Sequence, residues 1–164
     1  MVDSLSGWLP LAPVPGCQLR ATRSGRTYTP KRQAVAKRAL TAYALHGRPD
    51  EPLSGPLSLR VVFWFAAPRS WSRKKAAAAI AGDLRPASRS AGDVDNLCKL
   101  LQDALQAAGY MEDDAQIVDL VASKRYGPDA GYEFTLARSA APRPPTPGRP
   151  PPLPGGRLRP GSEP

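Results

Sequence analysis

Residues 92–124 read GDVDNLCKLLQDALQAAGYMEDDAQIVDLVASK. Leu97, Leu100, Leu101, Ala104, Leu105 and Ala108 recur at the 3–4 spacing of a buried stripe, so the spacing predicts an amphipathic helix over Asp95–Ala108. Gly109 is a natural stop for it. Gln116–Ser123 (QIVDLVAS) is rich in β-branched residues and reads as a strand. A helix and a strand so close in sequence, each with an apolar face to bury, imply a mixed α/β architecture around one core.

The flanking segments agree. Leu57–Ala66 (LSLRVVFWFA) is the best strand in the chain and belongs in the middle of a sheet. Gly131–Leu136 reads as a second closing strand, joined to the first through a turn around Gly127 and Pro128. Upstream, Thr29 and Pro30 suit the cap and first position of a helix over Lys31–Leu45 that ends before Gly47 and Pro49. Cys17–Arg20 and Arg26–Tyr28 flank Ser24-Gly25 and suggest a short hairpin. Residues 67–92 form a basic loop, with Arg69, Arg73, Lys74, Lys75, Arg85 and Arg89 against Asp83 alone, and with a short helix over Lys74–Ile80. No internal repeat is present.

The chain has 164 residues, enough for one domain and some spare length. Residues 137–164 are rich in Pro, Gly and Arg and lack aromatic residues, which predicts a disordered tail beyond a folded domain at 1–136. Arg138, Arg143, Arg149, Arg157 and Arg159 against Glu163 put +4 of the net +9 on that tail. The folded part is therefore basic too, and a polyanionic partner such as nucleic acid is expected. Cys17 and Cys98 lie in no CxxC or Cys/His cluster, which argues against zinc and redox chemistry. No apolar run approaches the 20 or so residues that a membrane span needs, and the N-terminus lacks the basic start of a signal peptide, so no membrane partner and a cytoplasmic location are expected.

Within this basic chain the acids gather around the helix at 95–108. Asp93 and Asp95 stand two apart, so an extended approach to the helix would send both carboxylates to one side. Such a pair suits Mg²⁺, a hard cation that binds few protein carboxylates and completes its shell with water and phosphate. Glu112, Asp113 and Asp114 follow the helix, and a short return through Gly109–Met111 is expected to bring a third acid alongside. Adjacent strand residues face opposite ways, so Asp113 and Asp114 should diverge, and spacing does not choose between them. Lys99, one turn into the helix, is placed to reach a phosphate oxygen; the competing reading is a surface ion-pair ladder of Asp95, Lys99 and Asp103. Asp95 could otherwise be a plain helix cap.

The string GDVDNLCKLLQDALQAAGYMEDDAQIVDLVASKRYG closely resembles the RusA family of Holliday junction resolvases, with pattern D-x-D-N-L-x-K-x-x-x-D-A-L followed by D-D-x-Q-[IV]. Asp93, Asp95, Asn96, Leu97, Lys99, Asp103, Ala104, Leu105, Asp113, Asp114, Gln116 and Ile117 fill its fixed positions. A looser likeness extends over residues 14–136, and the AGYMEDD linker differs from the NG-containing linkers of many relatives. The resemblance implies a single mixed α+β domain, a homodimer and a crossover junction endodeoxyribonuclease that cuts branched DNA by paired nicks, leaving 5′-phosphates. It also implies a Mg²⁺ cofactor, for which Mn²⁺ can substitute, held by Asp93, Asp95 and Asp114 with Asp113 in reserve, and a catalytic Lys99. Arg20, Arg23, Arg26, Arg69, Arg73, Lys74 and Lys75 are the candidates for phosphate contacts. Trp71 is expected to pack under the basic loop, His46 to cap a helix C-terminus, and Tyr110 and Trp64 to lie in the core. A less selective flap nuclease and a junction-binding protein without activity are the competing functions.

Overall fold

The computed structural model describes residues 3–15, 20–21, 27–28 and 31–139. In chain order its elements are β1 (Ser4–Leu9), β2 (Arg20–Ala21), β3 (Thr27–Tyr28), α1 (Lys31–Leu45), β4 (Leu57–Ala66), α2 (Arg73–Ala81), α3 (Val94–Ala107), β5 (Ile117–Gly127) and β6 (Gly131–Arg138). Single 3₁₀ turns at Arg89–Ala91 and Asp114–Gln116 precede α3 and β5. The main sheet runs β1-β6-β4-β5, and β2 with β3 forms a separate two-stranded ribbon. The expected α/β architecture is thus present as a mixed sheet with helices.

The layer forms because each element has one apolar face. Leu57, Leu59, Val61 and Phe63 of β4 and Tyr132, Phe134 and Leu136 of β6 are buried at alternate positions, the period-2 pattern of a half-covered sheet. Against them α3 lays Leu97, Cys98, Leu100, Leu101, Ala104 and Leu105, while α1 adds Leu40 and Ala44. Each fully buried leucine contributes about 1.5–3 kcal/mol relative to exposure. Edge-on aromatic pairs knit the layer, Phe63 with Tyr132 at 5.5 Å and Tyr110 with Phe134 at 5.6 Å between ring centres. The Tyr110 hydroxyl donates to the Ala44 carbonyl at 3.1 Å, tying the end of α1 to the segment after α3.

Strand order is not sequence order. β5 and β6 follow one another in sequence but are not neighbours, because β4 lies between them: β4 pairs with β5 in parallel and with β6 antiparallel. The connection at 128–130 therefore steps over the end of β4, about 10 Å, instead of closing a hairpin. β1 was not legible in the sequence and pairs antiparallel with β6 along its whole length. Trp64, expected in the core, lies on the open face of the sheet and donates its indole N–H to Glu133 at 2.8 Å. Ala137 and Arg138, assigned to the tail from sequence, belong to β6; residues 140–164, and 16–19, 22–26 and 29–30 where the sequence suggested a hairpin and a helix cap, lie outside the described residues. No helix among the described residues is long and apolar enough to cross a membrane.

Candidate active site

β4 and β5 run in parallel, and the excursion between them carries the basic loop, α2 and α3. Its last corner, Gly92, sits at φ +70° and ψ 173°, in a region open to glycine and strained for other residues. A side chain there would overlap Pro15, with the Pro15 Cγ 2.7 Å from its Cβ. From the sheet, the Lys124 ammonium donates to the Gly92 carbonyl at 2.7 Å. Backbone shape, packing and a charged hydrogen bond thus fix the residue that precedes Asp93.

Asp93 is the N-cap of α3, yet its side chain makes no capping bond. Asp95 lies in the first turn of the helix. The two are therefore not on an extended segment, as the sequence suggested; the helix start gathers them, and Asp95 is not the cap. Both are exposed, and among the described residues neither carboxylate has a hydrogen bond or ion pair. Asp95 also acts on its neighbour: burial pushes the Cys98 thiol up to about 11, and the Asp95 charge adds to the rise.

The third acid does not join them within one chain. The Gln106 amide donates to the Glu112 carbonyl at 3.1 Å, which holds residues 112–114 at the far end of α3. Lys124, at the near end, is reached only after β5 has advanced about 23 Å from Ile117 at about 3.3 Å per residue. The helix itself is about 20 Å long at 1.5 Å per residue. Accordingly no group of three or more His, Cys, Asp or Glu side chains able to hold a metal occurs among the described residues. The return through 109–111 is short, but it reverses the chain at the wrong end of the helix to bring the acids together.

At that far end the structure separates the two aspartates that spacing left open. Asp113 caps the 3₁₀ turn, accepting from the Ala115 N–H at 2.8 Å, and its own N–H donates to the Gln116 side chain at 3.0 Å. Asp114 is half-buried and has no such bond among the described residues. Gln116 uses both ends of its amide: the oxygen accepts from Glu112 and Asp113 N–H groups, and the nitrogen donates to the Leu53 and Gly55 carbonyls at 3.2 Å each. That residue staples the loop at 53–55 to the acidic turn.

Lys99 lies 4.0 Å from Asp103, which also pairs with Lys37 of α1 at 3.4 Å. The other half of the ladder, Asp95 with Lys99, is absent, and the Lys99 side chain is 70% exposed. Surface pairs of this kind hold a side chain weakly, so Lys99 can turn toward a ligand.

The basic loop meets the acid pair at the same end of the sheet. α2 starts at the Ser72 cap, whose hydroxyl accepts from the Lys75 N–H, and packs against β5, where Trp71 lies edge-on to Tyr126 at 5.1 Å. Lys75 sits 4.3 Å above the Trp71 ring, so Trp71 packs beneath the loop. Arg69, Arg73, Lys74 and Lys75 are exposed. The backbone of Arg20 pairs in β2, while Arg23 and Arg26 lie outside the described residues. His46 Nδ1 is 2.9 Å from the Ala42 carbonyl, the expected part at a helix C-terminus, and Tyr110 is buried as expected. Sequence reading missed Lys124; the signal was its even-numbered place with Ala122, on the face of β5 that the helices cover.

A family model described as endodeoxyribonuclease RusA matches residues 10–136. The chain is also similar to the uncharacterized protein YqaN of Bacillus subtilis (strain 168), 33% identical over 123 residues that cover 73% of this chain and 84% of that protein.

Proposed function

This chain belongs to the RusA endodeoxyribonuclease family, and on that footing we propose that it resolves four-way DNA junctions by paired, metal-dependent nicks. The observation that carries the reading is the pair of exposed carboxylates Asp93 and Asp95, without partners among the described residues and held on a fixed corner beside the basic α2. Carboxylates standing free in a positive field suit phosphodiester chemistry, since the cations hold the backbone and the acids hold a metal.

Two carboxylates with open water around them fit Mg²⁺, with Mn²⁺ as a substitute, because such ions bind one or two protein oxygens and leave room for phosphate. When bound, the ion would lower the pKa of a coordinated water and offset charge on the phosphate oxygens. Asp93 and Asp95 orient that centre, and Lys99 turns from Asp103 to meet a phosphate oxygen. Arg69, Arg73, Lys74 and Lys75 grip the backbone on either side, which suits a substrate recognised by its branch geometry.

Asp114 completes the ligand set only from a second copy, since within one chain it lies at the opposite end of β5. A two-fold homodimer would supply two such composite centres, one for each of two opposed strands of a junction. Neither Asp93→Asn nor Asp114→Asn should then cut alone, while a refolded mixture should regain part of the activity through heterodimers with one intact centre.

The primary test incubates a labelled synthetic four-way junction, a linear duplex and a flap with the protein, with and without Mg²⁺. Symmetric nicking of the junction that needs Mg²⁺, is lost in Asp93→Asn and Asp95→Asn, and leaves junction binding intact is the expected result. Equal cutting of flap and junction would replace the resolvase by a broader nuclease. Undiminished cutting by both variants would remove the acid pair from the mechanism.

A further inference from the structure

The face of the sheet turned away from α1 and α3 carries two tryptophans, Trp8 of β1 and Trp64 of β4, at the end where β4 and β5 finish and β6 begins. Side chains on a strand usually stand up from the sheet; these two lie across it. A Cβ added at Gly131 of β6 would fall 2.7 Å from Trp8 Cε2, so that indole covers bare backbone. The Trp64 indole N–H reaches Glu133 on β6 at 2.8 Å, while its Cε3 would lie 2.8 Å from a Cβ added at Gly127 of β5. Those atoms sit on opposite edges of the indole, so the ring spans β4 broadside.

Glycine within a strand gives up side-chain packing and marks a place where another group comes close. Here both glycines make room for an indole, and each ring keeps one face on the backbone and turns the other outward. Gly131 is in register with Trp64, so the Trp8 ring lies beside Trp64 and the two make one aromatic surface. Covering a glycine stabilises a sheet through the area removed from water, yet Trp8 stays 46% exposed and forgoes much of that gain. Arg125 is in register with Trp64 on its other side, exposed and without an ion pair among the described residues. The acid on this surface, Glu133, is engaged by the Trp64 N–H.

Flat aromatic faces beside a free arginine match the chemistry of unpaired nucleotides, since every base has a π-face to stack and every phosphate a charge to meet. Bases inside a duplex are already stacked on one another and offer no face. We propose that Trp8 and Trp64 form a stacking platform for unpaired bases of DNA, with Arg125 meeting the phosphate that joins them. The platform lies at the end of the sheet where the acid pair stands: Lys124, the residue before Arg125, points to the opposite face and holds the Gly92 carbonyl next to Asp93. β4 also runs on from Trp64 into the basic loop. A strand freed at a branch point can thus pass round this end from the acids to the indoles. The link to a branch rests on the proposed junction activity; the affinity of the platform for single strands does not.

The test titrates the full chain, in EDTA, with labelled oligothymidylate of about 20 nucleotides, ample for one such surface, and with a duplex of the same length. Single strands should bind, and in Trp71→Phe, which leaves Trp8 and Trp64 as the remaining indoles, they should quench the indole fluorescence. Trp8→Ala should weaken single-strand binding by about tenfold and leave duplex binding within about twofold, while Trp8→Phe, whose smaller ring still stacks, should keep most of the affinity. Arg125→Gln should lower the salt slope of single-strand binding by about 0.7. Unchanged single-strand affinity in Trp8→Ala, an equal loss for duplex, a Trp8→Phe protein as weak as Trp8→Ala, or fluorescence untouched by oligothymidylate would each overturn the inference. A change of mass in light scattering on Trp8→Ala, with single-strand binding intact, would overturn it too, by making this face a contact between copies. Stacking by a protein that cuts no junction would support the platform and count against the nuclease reading alone.

Discussion

Replacing Gly92 by alanine tests the corner on which the proposed centre stands. The φ of +70° with ψ of 173° costs a non-glycine residue about 1–3 kcal/mol. The new Cβ would also overlap Pro15, and a ring so close to the backbone has little room to yield, which adds about 1–3 kcal/mol of overpacking. Together these remove about 2–6 kcal/mol from a domain whose whole stability is of the order of 5–15 kcal/mol. At roughly 3 °C per kcal/mol, thermal unfolding should fall by about 6–18 °C. Junction nicking should fall more than junction binding, because Asp93 and the carbonyl that Lys124 holds both move. Calorimetry and single-turnover nicking measure the two effects. Pairing the change with Pro15→Gly separates the terms: the overlap disappears and the backbone strain stays, so about half of the loss should return. A Gly92→Ala protein that melts within about 2 °C of the wild type and nicks at the same rate would refute the account of this corner.

Neutralising Arg73, Lys74 and Lys75 together should weaken junction binding and reduce the slope of affinity against salt by about 2–3, read from a salt titration. Gln116→Glu removes two donors from the Leu53 and Gly55 carbonyls and sets a carboxylate against them, so it should lower stability by about 2 kcal/mol in a urea titration. Burial raises Cys98 from 9.0 to about 11 and Tyr132 from 10.0 to about 12, so the folded chain holds these protons more tightly than the unfolded one. Stability should therefore be whole below pH 9 and decline as the pH rises through 11 and on toward 12; Cys98→Ala should flatten the first part of that decline, measured by denaturation at pH 8 and pH 10.5.

What the sequence disclosed was local. α1, β4 and α3 were legible because period and cap signals reside within each segment, and the observed bounds of Lys31–Leu45 and Leu57–Ala66 agree with those read from spacing. β1 was hidden because SLSGWL carries two serines and a glycine and has no β-branched residue. The insertion of β6 between β1 and β4 was beyond local reading, since strand order is set by which faces pack and not by proximity in the chain. For the acids, spacing placed Asp93 and Asp95 at the head of α3 but could not register that a helix of that length parts them from Asp114. That Asp113 caps a 3₁₀ turn and Asp114 does not was likewise beyond what spacing could show.

On the proposed composite centre, with its acids parted along β5, a lone copy of this chain would be a poor cutter of any DNA it met. Cleavage by such a protein would grow with roughly the square of its abundance until pairing saturates. Leaky, low-level expression would then leave a chromosome unharmed, and only a burst of synthesis would switch the cutting on.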